Sequence, residues 1–172
     1  MKIALTDACI FIDIHDLKLT PVFFSMPMEI HSTVDVYNEL YDDHKHFLEA
    51  FTAVGKLTLH ILTDADRKQV QNGDFPQGLS EADKSVIYIA GNIGAMLLSS
   101  DRAVRRYAKS KGVDCHGMLW ILERLVDSGT LPPTQAIMKL KELMATNIIY
   151  QNNSELLEAA AKLSTNWNKM TE

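Results

Sequence analysis

The stretch "AMLLSSDRAVRRYAKSKG", Ala95 to Gly112, decides how this chain is read. "AMLLSS" is an apolar run short enough for a buried strand, and Asp101 stands alone at its end. "DRAVRRYAKSKG" then reads as a helix closed by Gly112. Upstream, "LSEADKSVIYIAGNIG" reads as a helix opened by a capping box, with Ser80 at the N-cap and Asp83 at its third position. Helix, buried strand, lone carboxylate and helix again is the grammar of a parallel sheet with helical crossovers.

The rest of the chain repeats that grammar. "KIALT" reads as a strand ended by Asp7, and "ACIFIDIHDL" as the helix after it. "LTPVFFSM" opens with Thr20 as a candidate N-cap and Pro21 at the first helical position. "MEIHST" alternates as a strand, and the helical segment after it, Val34 to Gly55, breaks near Asp42 and Asp43. "KLTLHIL" is a strand, with Thr63 or Asp64 capping the next helix. "VDCHG" is a short strand, "MLWILERLVDSG" a helix, and two amphipathic helices follow. The expectation is an α/β domain with a largely parallel sheet, helices on both faces and C-terminal helices added. It is expected to be one domain over 1–172, with a core of about 1–128 and a helical appendage of about 129–172.

Composition narrows the function classes. A chain of 172 residues, 47% hydrophobic, can bury one sizeable core. A formal charge of -5 rules out a uniformly basic nucleic-acid coat, so contact with nucleic acid needs a local patch. Cys9 and Cys115 make neither a disulfide scaffold nor a zinc site, and both read as small buried apolar residues. Asp7 and Asp13 interrupt any secretory apolar segment, and Val86 to Leu98 falls short of the roughly 20 residues of a membrane span. A cytoplasmic protein without membrane contact is expected.

In open parallel sheets, ligands bind beyond the carboxyl ends of the strands. Asp7 and Asp101 are placed there, Glu39 lies in the first turns of the helix after "MEIHST", and Asp83 in the first turn of the helix leading to Asp101. Two carboxylates roughly 5 Å apart repel by about 3 kcal/mol at an effective dielectric near 20. Such a cluster needs protons or a cation, and an all-oxygen site suits Mg²⁺ or Mn²⁺. Each acid also has a plainer use. Asp101 and Asp7 are candidate helix caps, Asp83 complements a helix dipole, and Glu39 suits a solvated surface. A capping role and a ligand role are compatible in one Asp.

The ordered set resembles the PIN-domain family over most of the chain. "IALTDACIFIDI" is similar to the family's opening strand and its Asp, here Asp7. "VYNEL" matches V-x-x-E-L and gives Glu39; "LSEADKSVIYIA" gives Asp83, with Glu81 as its substitute; "LLSSDRAVRRYAKSKGV" gives Asp101. "CHGMLWILERLVDSGTLPPTQAIMKLKEL" resembles the G-x-L-x-x-L helix and following turn of bacterial members. The resemblance implies a three-layer α/β/α sandwich with its acids at one edge, and a Mg²⁺- or Mn²⁺-dependent ribonuclease. It also implies a toxin of the VapC type held inactive by a cognate antitoxin. Asp7 and Asp101 would ligate the metal, Asp83 would complete the site directly or through water, and Glu39 would bind metal or orient the attacking water. Where relatives carry Ser or Thr and then Asn or Ser after the first Asp, this chain has Ala8 and Cys9. That departure keeps open a second reading, a PIN-like module that binds RNA or protein without turnover.

Arg102, Arg105, Arg106 and Lys109 recur at i, i+3, i+4 and i+7, with Val104, Tyr107 and Ala108 opposite. This stripe is either a solvated face or a guide for a phosphate backbone, and Arg105 matches an Arg frequent in the family. His44 and His46 diverge on a helix and make a poor metal clip. "LTPVFFSMPM" serves core packing first and a partner or homodimer surface second. A haloacid-dehalogenase phosphatase would need an acid where Cys9 stands, and a phosphoacceptor receiver domain would need a strand-end Lys that is not evident.

Overall fold

The computed structural model describes residues 2–171. The elements are β1 (Lys2–Thr6), α1 (Ala8–Asp16), α2 (Thr20–Phe23), β2 (Met28–Thr33), α3 (Val34–Glu39), α4 (Asp42–Ala53), β3 (Leu57–His60) and α5 (Asp64–Asn72). They continue with α6 (Glu81–Ile93), β4 (Met96–Leu98), α7 (Arg102–Ser110), β5 (Cys115–His116), α8 (Met118–Asp127), α9 (Pro133–Thr146), α10 (Ile148–Gln151) and α11 (Ser154–Lys169). Two compact units emerge: the chain up to Ile12 with Pro27–Gly117, and Asp13–Met26 with the chain from Met118 onward. Among the described residues no helix is long and apolar enough to cross a membrane.

The first unit holds the sheet, in the order β3-β2-β1-β4-β5, with every neighbouring pair parallel. The steps β1 to β2 to β3 run one way across it, and β3 to β4 to β5 run back. Right-handed crossovers therefore put α4 on one face and α5, α6 and α7 on the other, while α3, at the carboxyl end of β2, packs on α6. The fold is the expected α/β/α arrangement, with a sheet that is wholly parallel. Ala4, Leu5, Ile30, Leu97 and Leu98 from the strands are buried, as are Val86 and Ala90 of α6 and Val104 and Ala108 of α7.

Local sequence explains most boundaries. Thr63 and Ser80 both form complete capping boxes, with Asp66 and Asp83 reaching back to the cap N–H. The long helical segment breaks where Leu40 and Tyr41 take extended backbone, and Asp42 and Asp43 then fill the first turn of α4. One expectation is overturned: Thr20 is the first residue of α2 and Pro21 the second, while Leu19 takes the N-cap without a side-chain bond. Leu19 and Phe23 are both buried, so packing overrides the capping preference and moves the boundary back by one residue.

The second unit is helical. Its core includes Ile14, Phe23, Leu122, Leu125, Leu140 and Trp167. Phe24 and Met26 are buried too, so "LTPVFFSMPM" is spent largely on this core. Asp13 is buried here, and the Asn147 amide donates to both its oxygens at 2.9 and 3.2 Å. Burial still pushes its carboxyl up to about 6, against the lowering effect of that amide.

The end of β2 is tied by one hydroxyl. Thr33 Oγ1 accepts the Val36 N–H at 3.2 Å, capping α3, and lies 2.6 Å from Ser85 Oγ of α6. Replacing Thr33 with Val keeps the shape and removes both bonds. The expected cost is about 1–2 kcal/mol, read as a lower urea midpoint with unchanged m-value.

Candidate functional site

Register gathers the site. Leu5 pairs with both His31 and Leu97, Leu97 pairs with Cys115, and Thr33 pairs with His60. Two residues further along each strand, side-chain alternation puts Thr33, Asp7, Ser99 and Gly117 in one row on one face. The hydrogen-bond ladder runs on past the strand ends to support this. Asp7 N–H donates to Leu98 O at 3.0 Å, and Ser99 N–H to His116 O at 2.8 Å. β1 and β4 are also where the strand order reverses, the crevice at which open α/β sheets place ligands.

Asp7 lies at the centre of the row and is only 4% exposed. Ser99 Oγ donates to its Oδ2 at 2.6 Å, and the Cys9 thiol donates to the same oxygen at 3.3 Å. Burial pushes the Asp7 carboxyl up to about 6. The bonds from Ser99, Cys9 and the Ala8 N–H oppose the rise, and the negative charge of Asp83 adds to it. Among the described residues no Lys or Arg pairs with Asp7.

The hydroxyl of Ser99 joins two acids. While donating to Asp7, it accepts the Asp101 N–H at 3.1 Å. Asp101 in turn caps α7, its Oδ1 accepting from Ala103 and Val104 at 2.8 and 2.9 Å. Asp83 caps α6 in the same manner, its Oδ2 accepting the Ser80 N–H at 2.8 Å. In both, the second carboxylate oxygen has no hydrogen bond among the described residues. The capping role expected for each is present, and it uses one oxygen of two. Asp7, Asp83 and Asp101 thus come to one rim, with the field of Asp83 felt at Asp7. Glu39 is the last residue of α3, which packs on α6; it is exposed and makes no hydrogen bond or ion pair with the other three. Glu81 turns to Lys84 at 2.6 Å, whereas it is the charge of Asp83 that acts on Asp7.

The basic stripe divides as its spacing predicts. Arg102, Arg105, Arg106 and Lys109 are exposed, Val104 and Ala108 are buried, and Tyr107 is half-buried. Arg105 alone is placed against the row. A Cβ built on Gly117 would lie 2.7 Å from its Nη1, 3.4 Å from Ser100 Oγ and 3.5 Å from Ser99 O. The missing side chain of Gly117 is what lets this guanidinium lie over the end of the row.

Two contributors escaped the sequence reading. Within its own segment Ser99 is only the end of a strand, yet a hydroxyl two residues before a strand-end Asp falls in register with Asp7. Cys9 is not the small buried apolar residue expected from the sequence: it is half-buried, donates to Asp7 and accepts the Ser100 N–H at 3.3 Å. Burial pushes its thiol well up, and Asp7 adds to that rise. Cys115 is pushed to about 11 by burial, partly offset by Arg105. His46 Nδ1 lies 2.8 Å from Asp42 O, and His116 Nε2 lies 3.0 Å from Asp114 Oδ2.

With this geometry in hand, comparison with known proteins is specific. The DUF3368 family model, described as a PIN domain, matches residues 3–165. No curated protein matches the chain. Among solved structures, a PilT N-terminus domain protein from the hyperthermophilic archaeon Sulfolobus solfataricus P2 superposes with a TM-score of 0.51 at 17% identity. That match covers 73% of this chain and 92% of the archaeal one. A domain of a functionally unknown protein from Methanocaldococcus jannaschii superposes with a TM-score of 0.49 at 17% identity, over 69% of this chain and 91% of its own. The family match spans nearly the whole chain, and the Sulfolobus likeness agrees with it in fold: the chain belongs to the PIN-domain family.

Proposed function

We propose that this protein is a metal-dependent endoribonuclease that hydrolyses RNA phosphodiester bonds, working as the toxin of a toxin–antitoxin pair. The observation that carries the reading is Asp7. A carboxylate that is buried, faces the field of a second acid and has no cationic side chain against it is a poor resident of a metal-free protein. The donor set fits a hard divalent cation: Asp7, with one free oxygen each from Asp83 and Asp101, and Glu39 on the neighbouring helix end. Mg²⁺ or Mn²⁺ held there would lend Lewis acidity to the phosphodiester and lower the pKa of attacking water.

The chain's own residues supply the rest. Ser99 and Cys9 hold Asp7 in one orientation through Oδ2. The caps made by Asp83 and Asp101 fix those carboxylates against rigid helix starts. Arg105, over Gly117, gives a guanidinium for the phosphate next to the scissile bond, and Arg102, Arg106 and Lys109 extend positive charge along α7. Glu39 is assigned the orientation of the attacking water. Purified protein with Asp7→Asn is expected to lose cleavage of single-stranded RNA in Mg²⁺ or Mn²⁺ while keeping its circular dichroism. Retained cleavage would overturn the assignment. For the partner, the product of a neighbouring gene should bind this protein and suppress the cleavage.

The buried charge gives a test independent of turnover. Unfolded, Asp7 titrates near 3.8; folded, near 6. The protonated carboxyl therefore favours the fold below about pH 4, and this advantage is lost as pH rises through 6. At pH 8 without metal the ionised group costs about 3 kcal/mol. Asp7→Asn is expected to raise the chelator-treated protein's denaturation midpoint at pH 8, with the gap closing near pH 4. Mn²⁺ should stabilise the wild type and leave the variant unmoved. The comparison with wild type cancels Asp13, which titrates over the same range.

At the RNA contact, Arg105→Ala should weaken binding and reduce the salt slope of log K by about one. Gly117→Ala, which makes only the end of the Arg105 side chain shift, should cost less binding than Arg105→Ala. Binding measured by fluorescence anisotropy across a salt series reads both.

A further inference from the structure

On the same sheet face, where the row of Thr33 and Asp7 runs on to the edge strand, two imidazoles meet. His31 Nδ1 of β2 and His60 Nε2 of β3 lie 2.9 Å apart, with ring centroids 5.0 Å apart. The other ring nitrogen of His31 faces Glu29 Oε2 at 3.6 Å. We propose that His31 and His60 form a two-imidazole clip for a borderline transition-metal cation such as Zn²⁺ or Ni²⁺, with Glu29 behind His31 and water completing the coordination.

The geometry suits such an ion. Imidazole nitrogens bind zinc at about 2.0–2.1 Å, so two on one ion lie roughly 2.9 Å apart at a right angle and roughly 3.4 Å apart at a tetrahedral angle. The same construction sets the ring centroids roughly 4.5–5.2 Å apart. The observed spacing lies inside both ranges, so the ion asks for rotation of the rings rather than separation of the strands. A ligating histidine commonly gives its other N–H to a carboxylate, which fixes the tautomer and strengthens the ligand. Glu29 stands where that partner belongs. With His31 protonated at Nε2 toward Glu29, Nδ1 presents its lone pair. His60 then has only to carry its proton on Nδ1 instead of Nε2, so ligation needs no net loss of a proton.

The chemistry around the pair agrees. Burial holds both imidazoles below their ordinary pKa, opposed at His31 by Glu29 and reinforced at His60 by His31. Burial thus favours the neutral rings, which have lone pairs to give. The negative charge of Glu29 would offset part of a bound cation. The nitrogen donors also separate this site from the acidic rim. Imidazole selects zinc, nickel or copper, whereas the carboxylates select magnesium or manganese. The clip would bridge β2 to the edge strand β3, beside the Thr33 that caps α3 and so fixes the helix ending in Glu39.

The test uses the full chain carrying Asp7→Asn, so that metal at the acidic rim does not contribute. Calorimetric titration with Zn²⁺ and with Ni²⁺, together with long-range ¹H–¹⁵N spectra of the histidine rings, reads occupancy. The expected result is saturable binding that shifts the ring nitrogens of His31 and His60. His60→Gln should abolish that binding, and Glu29→Gln should weaken it about tenfold. Mg²⁺ should give neither heat nor ring shifts. His60→Gln is at the sheet edge, and its circular dichroism and denaturation midpoint check that it folds. Should it not fold, His31→Gln replaces it in the same assay. Zn²⁺ or Ni²⁺ affinity left unchanged in a folded His60→Gln or His31→Gln variant would overturn the clip, as would ring shifts confined to other histidines. Neither result would bear on the RNA cleavage assigned to Asp7.

Discussion

Parallel pairing in register is the constraint on which everything else in the sheet-bearing unit rests. Asp7 and Ser99 are 92 positions apart in the chain, yet one hydrogen bond of 2.6 Å joins them. Nothing local enforces that meeting. It follows from Leu5 facing Leu97 in adjacent strands, because alternation then carries the same alignment two residues on. A slip of one residue would turn Asp7 to the other face and bury a carboxylate among apolar side chains. The apolar residues that fix the register, Leu5 and Leu97, are fully buried, so the hydrophobic pattern holds the polar rim in place.

The acids show how structural and chemical duties share one side chain. A carboxylate has two oxygens, and a helix cap needs only one. Asp83 and Asp101 each commit one oxygen to N–H groups at a helix start, which removes rotamer freedom and sets their direction. The free oxygens are thereby preorganised at no further entropic expense. The start of each helix also carries partial positive charge, which eases like-charge repulsion at the rim. Neither effect neutralises Asp7, whose carboxyl still titrates well above its ordinary value. A structural reading of Asp83 and Asp101 is thus correct as far as it goes and leaves the charge at Asp7 unanswered.

Much of this was legible in the sequence, and the gaps have physical causes. The alternation of strands and helices gave the class of fold, and the capping box at Ser80, with Thr63 as one of two candidate caps, was readable because a cap is a contact between near neighbours. The start of α2 was misjudged because Leu19 and Phe23 respond to burial, which local capping preference does not report. Ser99, and Gly117 as the floor beneath Arg105, depend on strand order. A sequence shows which residues end strands, but not which strand ends become neighbours. His31 and His60 belong to the same class: they lie in separate strands, and only the β2–β3 pairing brings them together.

The departure at Ala8 and Cys9 is where register changes the meaning of a residue. Judged from β1 alone, the lost hydroxyl and amide leave the first acid without support. Across the β1–β4 pair, Ser99 supplies a hydroxyl to the same carboxylate, and the Cys9 thiol adds a weaker donor. Cys9 also accepts the Ser100 N–H, so the two strand ends are tied in both directions. Of the two donors to Asp7, Ser99 comes from a different segment, and Cys9 stands at the position of the departure itself. What changes is donor strength: the thiol, held well above its ordinary pKa, stays neutral like the hydroxyl or amide it stands in for and donates more weakly. Asp7 is then a carboxylate with no Lys or Arg paired to it among the described residues, Arg105 lying only at the end of the row, and that favours a divalent cation there.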